Sequence, residues 1–316
     1  MARALAAQGA ELRLLVRPTS PLGNLEGIAG EIHRGDLAQP ESLRPALAGC
    51  DAVVHVAADY RLWIRDPRAM YRANVAGTSE LLRLAREAGV PRFVYTSSVA
   101  TMPFRSDGSS VDETMPVSLA DMVGHYKRSK FLAEQAAVAA AQAGQSVIIL
   151  NPTAPIGTHD TKPTPTGRIL VDFLNGRFPA YLDTGLNLVD VGEVARTHGD
   201  ALTRGQPGRR YILGGENLTL KQIFDRLSAL TGRPSPTLRI PFAVAAAYAF
   251  FEEWITGRIG GREPRATLDE VRMSRKKMFA SSARAQAELG FRVTSVEPAL
   301  RAAVGWFRAQ GYAPPA

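Results

Sequence analysis

Tyr126 and Lys130 stand four residues apart in the run Tyr126-Lys127-Arg128-Ser129-Lys130, and Ser98 closes the run Thr96-Ser97-Ser98, 28 residues before the tyrosine. On a helix, residues four apart share a face with about 5–6 Å between them. An ammonium beside a phenol favours the phenolate and lowers a pKa of about 10 in isolation, which makes a tyrosine usable as an acid or base near neutrality. A serine hydroxyl at the end of a neighbouring strand would hold a substrate oxygen within reach of that phenol. Spacing of the Y-x-x-x-K kind is common in any helix. Its force here comes from the serine cluster upstream and from the pattern of elements around both. Asn74 completes the candidate catalytic set.

The elements that must position these groups alternate through the first half of the chain. Runs rich in β-branched residues and leucine at 12–16, 31–34, 52–56, 92–97 and 146–150 read as strands. The stretches 66–88 and 125–143 read as helices, the first with Val75, Leu81, Leu82 and Leu84 on an inner face. Strands alternating with helices predict an α/β fold with a doubly wound parallel sheet of the Rossmann type. Several strands end in small or polar residues, among them Ala57-Ala58 and Thr96-Ser97-Ser98. That edge of such a sheet is where ligands bind. Beyond Asn151-Pro152 the texture changes to a loop rich in proline and glycine, then to shorter mixed elements. Thr219-x-x-Gln222 and Thr294-x-x-Glu297 predict capped helices ending near Gly232 and Gly311. The expected division is a dinucleotide-binding domain at 1–151 and a smaller α/β substrate lobe at 152–316, with interleaving between them allowed.

With these motifs assembled, the chain resembles the extended short-chain dehydrogenase/reductase superfamily of NAD-dependent epimerases and dehydratases over nearly its whole length. The resemblance is carried by seven ordered stretches. They are Leu14-Leu15-Val16-Arg17, Gly35-Asp36-Leu37, Asp51 to Ala58, Asn74-Val75-Ala76-Gly77-Thr78, Val94 to Ser98, Tyr126-x-x-x-Lys130, and Asn151-Pro152-x-x-x-x-Gly157. Within it, the segments Ala57 to Trp63 and Asn151 to Gly157 look most like hopanoid-associated sugar epimerases, which are themselves similar to dihydroflavonol reductases. The resemblance implies that Tyr126 is the acid/base, that Lys130 binds the nicotinamide ribose, and that Ser98, or else Ser97, orients the reacting oxygen. It also implies that Asp36 and Leu37 meet the adenine, that Ala57 and Ala58 line the dinucleotide, and that Thr96 and Pro152 sit near the nicotinamide. Asn151 matches a contact to the sugar of a nucleotide-sugar. Asp36 and Asn151 also read as plain turn residues. Arg210, with Arg272 and Lys276, is a candidate to hold an anionic substrate. Arg17 ends the first predicted strand with no carboxylate beside it, a pattern that accommodates the 2′-phosphate of NADP more readily than the free ribose of NAD.

The expected activity is NAD(P)-dependent epimerisation or dehydration of a sugar or nucleotide-sugar, in hopanoid lipid synthesis on the narrower resemblance. A carbonyl reductase like dihydroflavonol reductase, using NADPH, is the alternative. A non-catalytic dinucleotide-binding protein is a third. The T-G-x-x-G-x-x-G loop with which such proteins cradle the pyrophosphate does not occur between Met1 and Gly9. The reading therefore expects about 10 to 20 further residues upstream, carrying a strand and that loop. In the strand order 3-2-1-4-5-6 the first strand is central, so its neighbours would otherwise lack a ladder partner.

The remaining composition excludes other classes. Thirty-eight Lys and Arg against 30 Asp and Glu give a net charge of +8. The basic residues are scattered and not interleaved with aromatics, so no nucleic-acid partner is expected. The five histidines and the lone Cys50 lack metal-ligand spacing, so no metal is expected. A single cysteine fits a reducing compartment, the cytoplasm. No apolar run reaches the roughly 20 residues of a membrane span, and the segment 242–254 reads as an amphipathic core helix, with a helix resting on a membrane surface as the alternative. The partners expected are a small-molecule substrate and, as the oligomer the reading allows, a homodimer.

Overall fold

The computed structural model describes residues 1–105 and 107–315. A short helix α1 (Ala2–Ala7) leads into β1 (Arg13–Val16) and then β2 (Glu31–Arg34), and one turn of helix, α2 (Arg44–Leu47), precedes β3 (Ala52–His55). The helical run expected at 66–88 forms as α3 (Arg68–Tyr71), a π-turn at Arg72–Ala76, and α4 (Gly77–Glu87). Next come β4 (Arg92–Thr96), α5 (Gly124–Gln142), β5 (Val147–Pro152) and β6 (Ala154–Ile156). The second half contributes α6 (Pro165–Leu174), β7 (Gly185–Asp190), α7 (Val191–Arg204), β8 (Arg210–Leu213) and β9 (Glu216–Thr219). The helices α8 (Leu220–Thr231), α9 (Phe242–Glu252), α10 (Leu268–Ser274), α11 (Ala283–Leu289) and α12 (Glu297–Ala309) follow.

Strands β3, β4, β5 and β8 form a wholly parallel sheet in that order. Both faces are covered, as parallel sheets require, and the alternation of side chains along each strand decides which residue serves which face. Phe93, Tyr95, Val147 and Ile149 pack on Leu81 and Leu84 of α4 and on Ala133 and Ala137 of α5. Val94, Ile148 and Leu150 point the other way, onto Val194 and Ala201 of α7 and Ala285 and Leu289 of α11. The fold is thus of the α/β Rossmann type. Because β8 returns to this sheet from the second half, the chain crosses between the lobes more than once.

Strands β1 and β2 make a separate parallel pair. Among the described residues β1 pairs only with β2, and β3 pairs on one side only, with β4. Each therefore has one edge without a partner among the described residues. The smaller lobe is built on β6, β7 and β9, with β6 parallel and β9 antiparallel to β7. Phe173, Leu188, Phe224, Leu300 and Phe307 are buried in its core.

Two helix starts show which local signals tertiary packing respects. Thr219 and Gln222 form the expected reciprocal capping box, and Gly232 ends α8 in the left-handed region. The expected box at Thr294 does not form. Helix α12 begins at Glu297 behind Val296, whose side chain is buried and whose N–H donates to Glu216. Burying that valine sets the entry of the helix.

Candidate active site

The catalytic candidates meet at the carboxyl end of the parallel sheet. Thr96 is the last residue of β4, and Ser98 caps a following turn, its Oγ accepting from the Ala100 N–H at 3.1 Å. Tyr126 and Lys130 lie in the first two turns of α5, whose start is made by Gly124 at φ +80°, a conformation suited to glycine. The Ser98 side chain lies beside the Tyr126 phenol and favours its ionised form. Burial raises the phenol above its ordinary pKa, and the serine contact only partly opposes this.

Lys130 is buried and bound elsewhere than the spacing suggests. Its Nζ donates to the Tyr95 hydroxyl at 2.9 Å and to the Thr96 carbonyl at 2.8 Å, and it lies 4.6 Å from the centre of the Tyr95 ring. Burial lowers its pKa to about 7, against the opposing pull of the Glu134 carboxylate. The ammonium is thus drawn to the end of β4, and the expectation that it lowers the Tyr126 pKa is corrected: burial governs the phenol, which stays protonated at neutral pH.

Asn74 is placed by the π-turn, a helical irregularity frequent at functional sites. Its Oδ1 accepts from the Asp59 N–H at 2.7 Å, and its Nδ2 donates to the Asp59 carbonyl at 2.8 Å and to Ser129 Oγ at 3.0 Å. It staples the loop after β3 to the helix that carries Tyr126. One turn on, Gly77 meets Leu37 so closely that a Cβ there would stand 2.7 Å from the Leu37 Cβ. That contact fixes the loop of Asp36 and Leu37, in which Asp36 Oδ1 accepts from the Ala38 N–H at 2.9 Å.

The three residues expected to meet substrate converge instead on a group the sequence reading missed. Glu134 is wholly buried on α5, one turn beyond Lys130. Its carboxylate accepts from Ser97 Oγ at 2.5 Å, Thr101 Oγ1 at 2.9 Å, Asn151 Nδ2 at 2.7 Å and Arg210 Nη1 at 3.3 Å. Arg210 also donates to the Glu113 carbonyl at 2.8 Å, and Asn151 to the Ser98 carbonyl at 3.1 Å. Ser97, Asn151 and Arg210 thus tie β4, β5 and β8 to α5 through Glu134, since a buried carboxylate must be paired and hydrogen-bonded. The signal available in the sequence was the spacing Tyr126, Lys130, Glu134, which keeps one helix face.

In the separate β1–β2 pair, Arg17 is exposed just after β1. Arg34, at the end of β2, donates from Nη1 to the carbonyls of Arg17 at 3.1 Å and Pro18 at 3.4 Å. Two guanidinium groups thus belong to one corner. Between this corner and Tyr126, Ala57 and Ala58 follow β3, the first exposed and the second half-buried, and Pro152 closes β5. His55 and His198 are buried and neutral. His55 bonds Thr78 Oγ1 at 2.9 Å; His198 joins the Val194 carbonyl to Thr96 Oγ1, each at 2.8 Å. Among the described residues no group of three or more potential ligands is placed to hold a metal ion, and no helix is long and apolar enough to cross a membrane.

A parallel sheet with a buried lysine and a tyrosine one helical turn apart at its carboxyl end fits an enzyme of the Rossmann class that works with a nicotinamide dinucleotide. Comparison with known proteins specifies it further. The profile of the NAD dependent epimerase/dehydratase family matches residues 1–214, and the chain belongs to that family. It is 42% identical to "Putative dihydroflavonol 4-reductase" of Synechocystis sp. over 321 aligned residues, covering 99% of this chain and 92% of that one. It is 34% identical to "Sterol demethylase protein B" of Methylococcus capsulatus, covering 98% and 95%. Among solved structures, a nucleoside-diphosphate-sugar epimerase from Pseudomonas aeruginosa superposes with a TM-score of 0.81 at 29% identity, covering 99% of this chain and 94% of that one. The protein is an NAD(P)-dependent oxidoreductase or epimerase of the extended short-chain type.

Proposed function

We propose that the protein is an NADPH-dependent reductase that converts the ketone of a largely apolar small molecule to a secondary alcohol. The observation that carries this reading is the engagement of Ser97, Asn151 and Arg210 by Glu134. A nucleotide-sugar needs polar and cationic partners, and three of the groups expected to supply them are held inside the framework, which leaves only the exposed Arg272 and Lys276 of that set. The loop after β3 offers half-buried Tyr60, Leu62, Trp63 and Ile64 instead. The names of the two relatives above, a reductase and a sterol-processing protein, point the same way.

The residues present fit the nicotinamide and adenosine ends of the cofactor: Lys130 is already held at the Thr96 carbonyl, where a ribose hydroxyl can take its place as acceptor. Lys130, Thr96 and Pro152 would hold the nicotinamide end, Ala57 and Ala58 the middle, Asp36 and Leu37 the adenine, and Arg17 with Arg34 the 2′-phosphate. When bound, the reduced cofactor supplies the hydride. Tyr126, kept protonated by burial, gives its phenolic proton to the carbonyl oxygen, which the Ser98 hydroxyl orients. Solvent restores that proton, so each ketone consumes one NADPH and one proton. The sugar-epimerase reading rests on the P. aeruginosa structure and requires Tyr126 to act first as a base, which a raised pKa opposes.

The test is to follow NADPH absorbance with a panel of apolar ketones, and separately to seek isomerised product from nucleotide-sugars with catalytic NAD. Stoichiometric NADPH loss is expected with a ketone. Tyr126→Phe should lower that turnover by about 100-fold or more with no change in the far-ultraviolet spectrum. Sugar isomerisation without cofactor consumption would replace this reading by the epimerase.

A further inference from the structure

The segment expected to be a core helix is turned inside out. From Phe242, α9 runs on through a π-turn at Glu253–Ile259. Its buried positions are the small residues Ala245, Ala249 and Gly257. Ala245 and Ala249 pack on Val271 of α10. The opposite face carries the large residues: Tyr248, Phe250, Phe251, Trp254, Ile255 and Ile259 are between 51% and 67% exposed. With Ala243, Val244 and Ala247 they form one helical stripe, uninterrupted by charge until Arg258. At 1.5 Å per residue the stripe is roughly 25 Å long. An apolar patch of this extent marks a binding surface.

The charges around the stripe specify what it binds. Each carboxylate of the segment is engaged within the protein: Glu252 accepts from Thr256 Oγ1 at 2.5 Å, Glu253 from the Leu268 N–H at 3.1 Å, and Glu263 pairs with Arg168 at 3.1 Å. Arg258, Arg262 and Arg265 are exposed and, among the described residues, have no carboxylate within ion-pair distance. Aromatic and aliphatic bulk on one face with free arginines at its end is the pattern of a helix that lies in a bilayer interface, its apolar side among the acyl chains and its cations at anionic headgroups. A single helical stripe is also narrow for the roughly 800 Å² per partner of a stable protein interface.

We propose that the 242–259 helix docks the protein onto the surface of an anionic lipid bilayer. The same helix backs onto the active site. A Cβ at Gly257 would stand 3.1 Å from the Trp63 ring, and one at Gly124, two residues before Tyr126, would stand 3.2 Å from Asp269 of α10. Docking therefore places α10 and the Trp63 loop, which adjoin the start of α5, next to the lipid surface, whichever carbonyl or sugar the enzyme processes.

The experiment is co-sedimentation of the full chain with phosphatidylcholine vesicles, with and without about one third phosphatidylglycerol, at low and high salt. Binding to the anionic vesicles, weakened by salt, is expected. Arg258→Glu/Arg262→Glu/Arg265→Glu should lower the partition coefficient about a hundredfold, since each basic residue at an anionic surface contributes about fivefold. Phe250→Ser/Phe251→Ser/Trp254→Ser alters only exposed side chains and should lower it about tenfold or more. Sedimentation velocity and circular dichroism of each variant check assembly and folding. Wild-type protein that stays in the supernatant with both vesicle types overturns the proposal. A dimer dispersed by the apolar triple variant, without vesicle binding, would assign the stripe to a second copy of the chain instead.

Discussion

Arg17 and Arg34 end two adjacent parallel strands, and Arg34 braces the backbone on which Arg17 is mounted. A 2′-phosphate at that corner gains a charge-assisted bond of about 1.5–3 kcal/mol, which a free ribose does not. Arg17→Ser should therefore weaken NADPH binding by about 10- to 100-fold and leave NADH binding nearly unchanged, as read by fluorescence titration of both cofactors against both proteins. Equal losses for the two would remove Arg17 from the cofactor site. At this scale the sequence was informative about residue type and silent about direction. Ser97 and Ser98 are adjacent, yet Ser97 turns inward to Glu134 while Ser98 caps the following turn, because successive side chains leaving a strand point to opposite sides.

The long helix α5 concentrates the site's geometry. Tyr126, Lys130 and Glu134 follow one another by single turns, so one rigid element carries the proposed proton donor, the cation at β4 and the anchor that holds β4, β5 and β8. Glu134 is the only carboxylate that reaches Ser97, Thr101, Asn151 and Arg210 among the described residues. Removing it leaves the half-buried Arg210 short of its counter-charge and the buried Ser97, Thr101 and Asn151 side chains short of an acceptor, at a cost of about 1–3 kcal/mol. Glu134→Ala should lower the denaturation midpoint accordingly, and Glu134→Gln, which keeps the shape, should lower it less. A midpoint unmoved by either would show that the network does not hold the strands together. Strands and long helices were legible in the sequence because their periodicity reflects burial on two faces. What escaped was decided by contacts distant in sequence. Val296 overrides the Thr294 cap, Asn74 bends a helix into a π-turn to reach Asp59, and α9 buries its alanines against α10.

For the molecule as a whole, two buried histidines set the acid limit of stability. Burial lowers His55 to about 3 and His198 to about 4 from the ordinary 6.5. Between those values the unfolded chain binds protons that the native protein refuses. Their contribution to stability is thus complete above pH 6.5 and is lost as the pH falls towards 4 and then 3. Urea midpoints measured across that range should fall with acidification. His198→Gln should flatten the fall by about one proton's worth of slope near pH 5, and an unchanged slope would mean that His198 is already charged in the folded state.

The β1–β2 pair sets a clock of its own. The four-stranded sheet is clamped by helices on both faces, whereas among the described residues β1 and β2 pair with each other in a sheet of two. Segments of this kind open at free energies well below that of global unfolding. In deuterium-exchange mass spectrometry, peptides spanning Leu14–Val16 and Ile32–Arg34 should take up label orders of magnitude sooner than those spanning Val94–Thr96 and Ile148–Leu150. The corner that holds Arg17 and Arg34 would then be built and rebuilt many times while the Tyr126 end stays fixed, and a dinucleotide would close onto a site whose one end is set and whose other end forms around it.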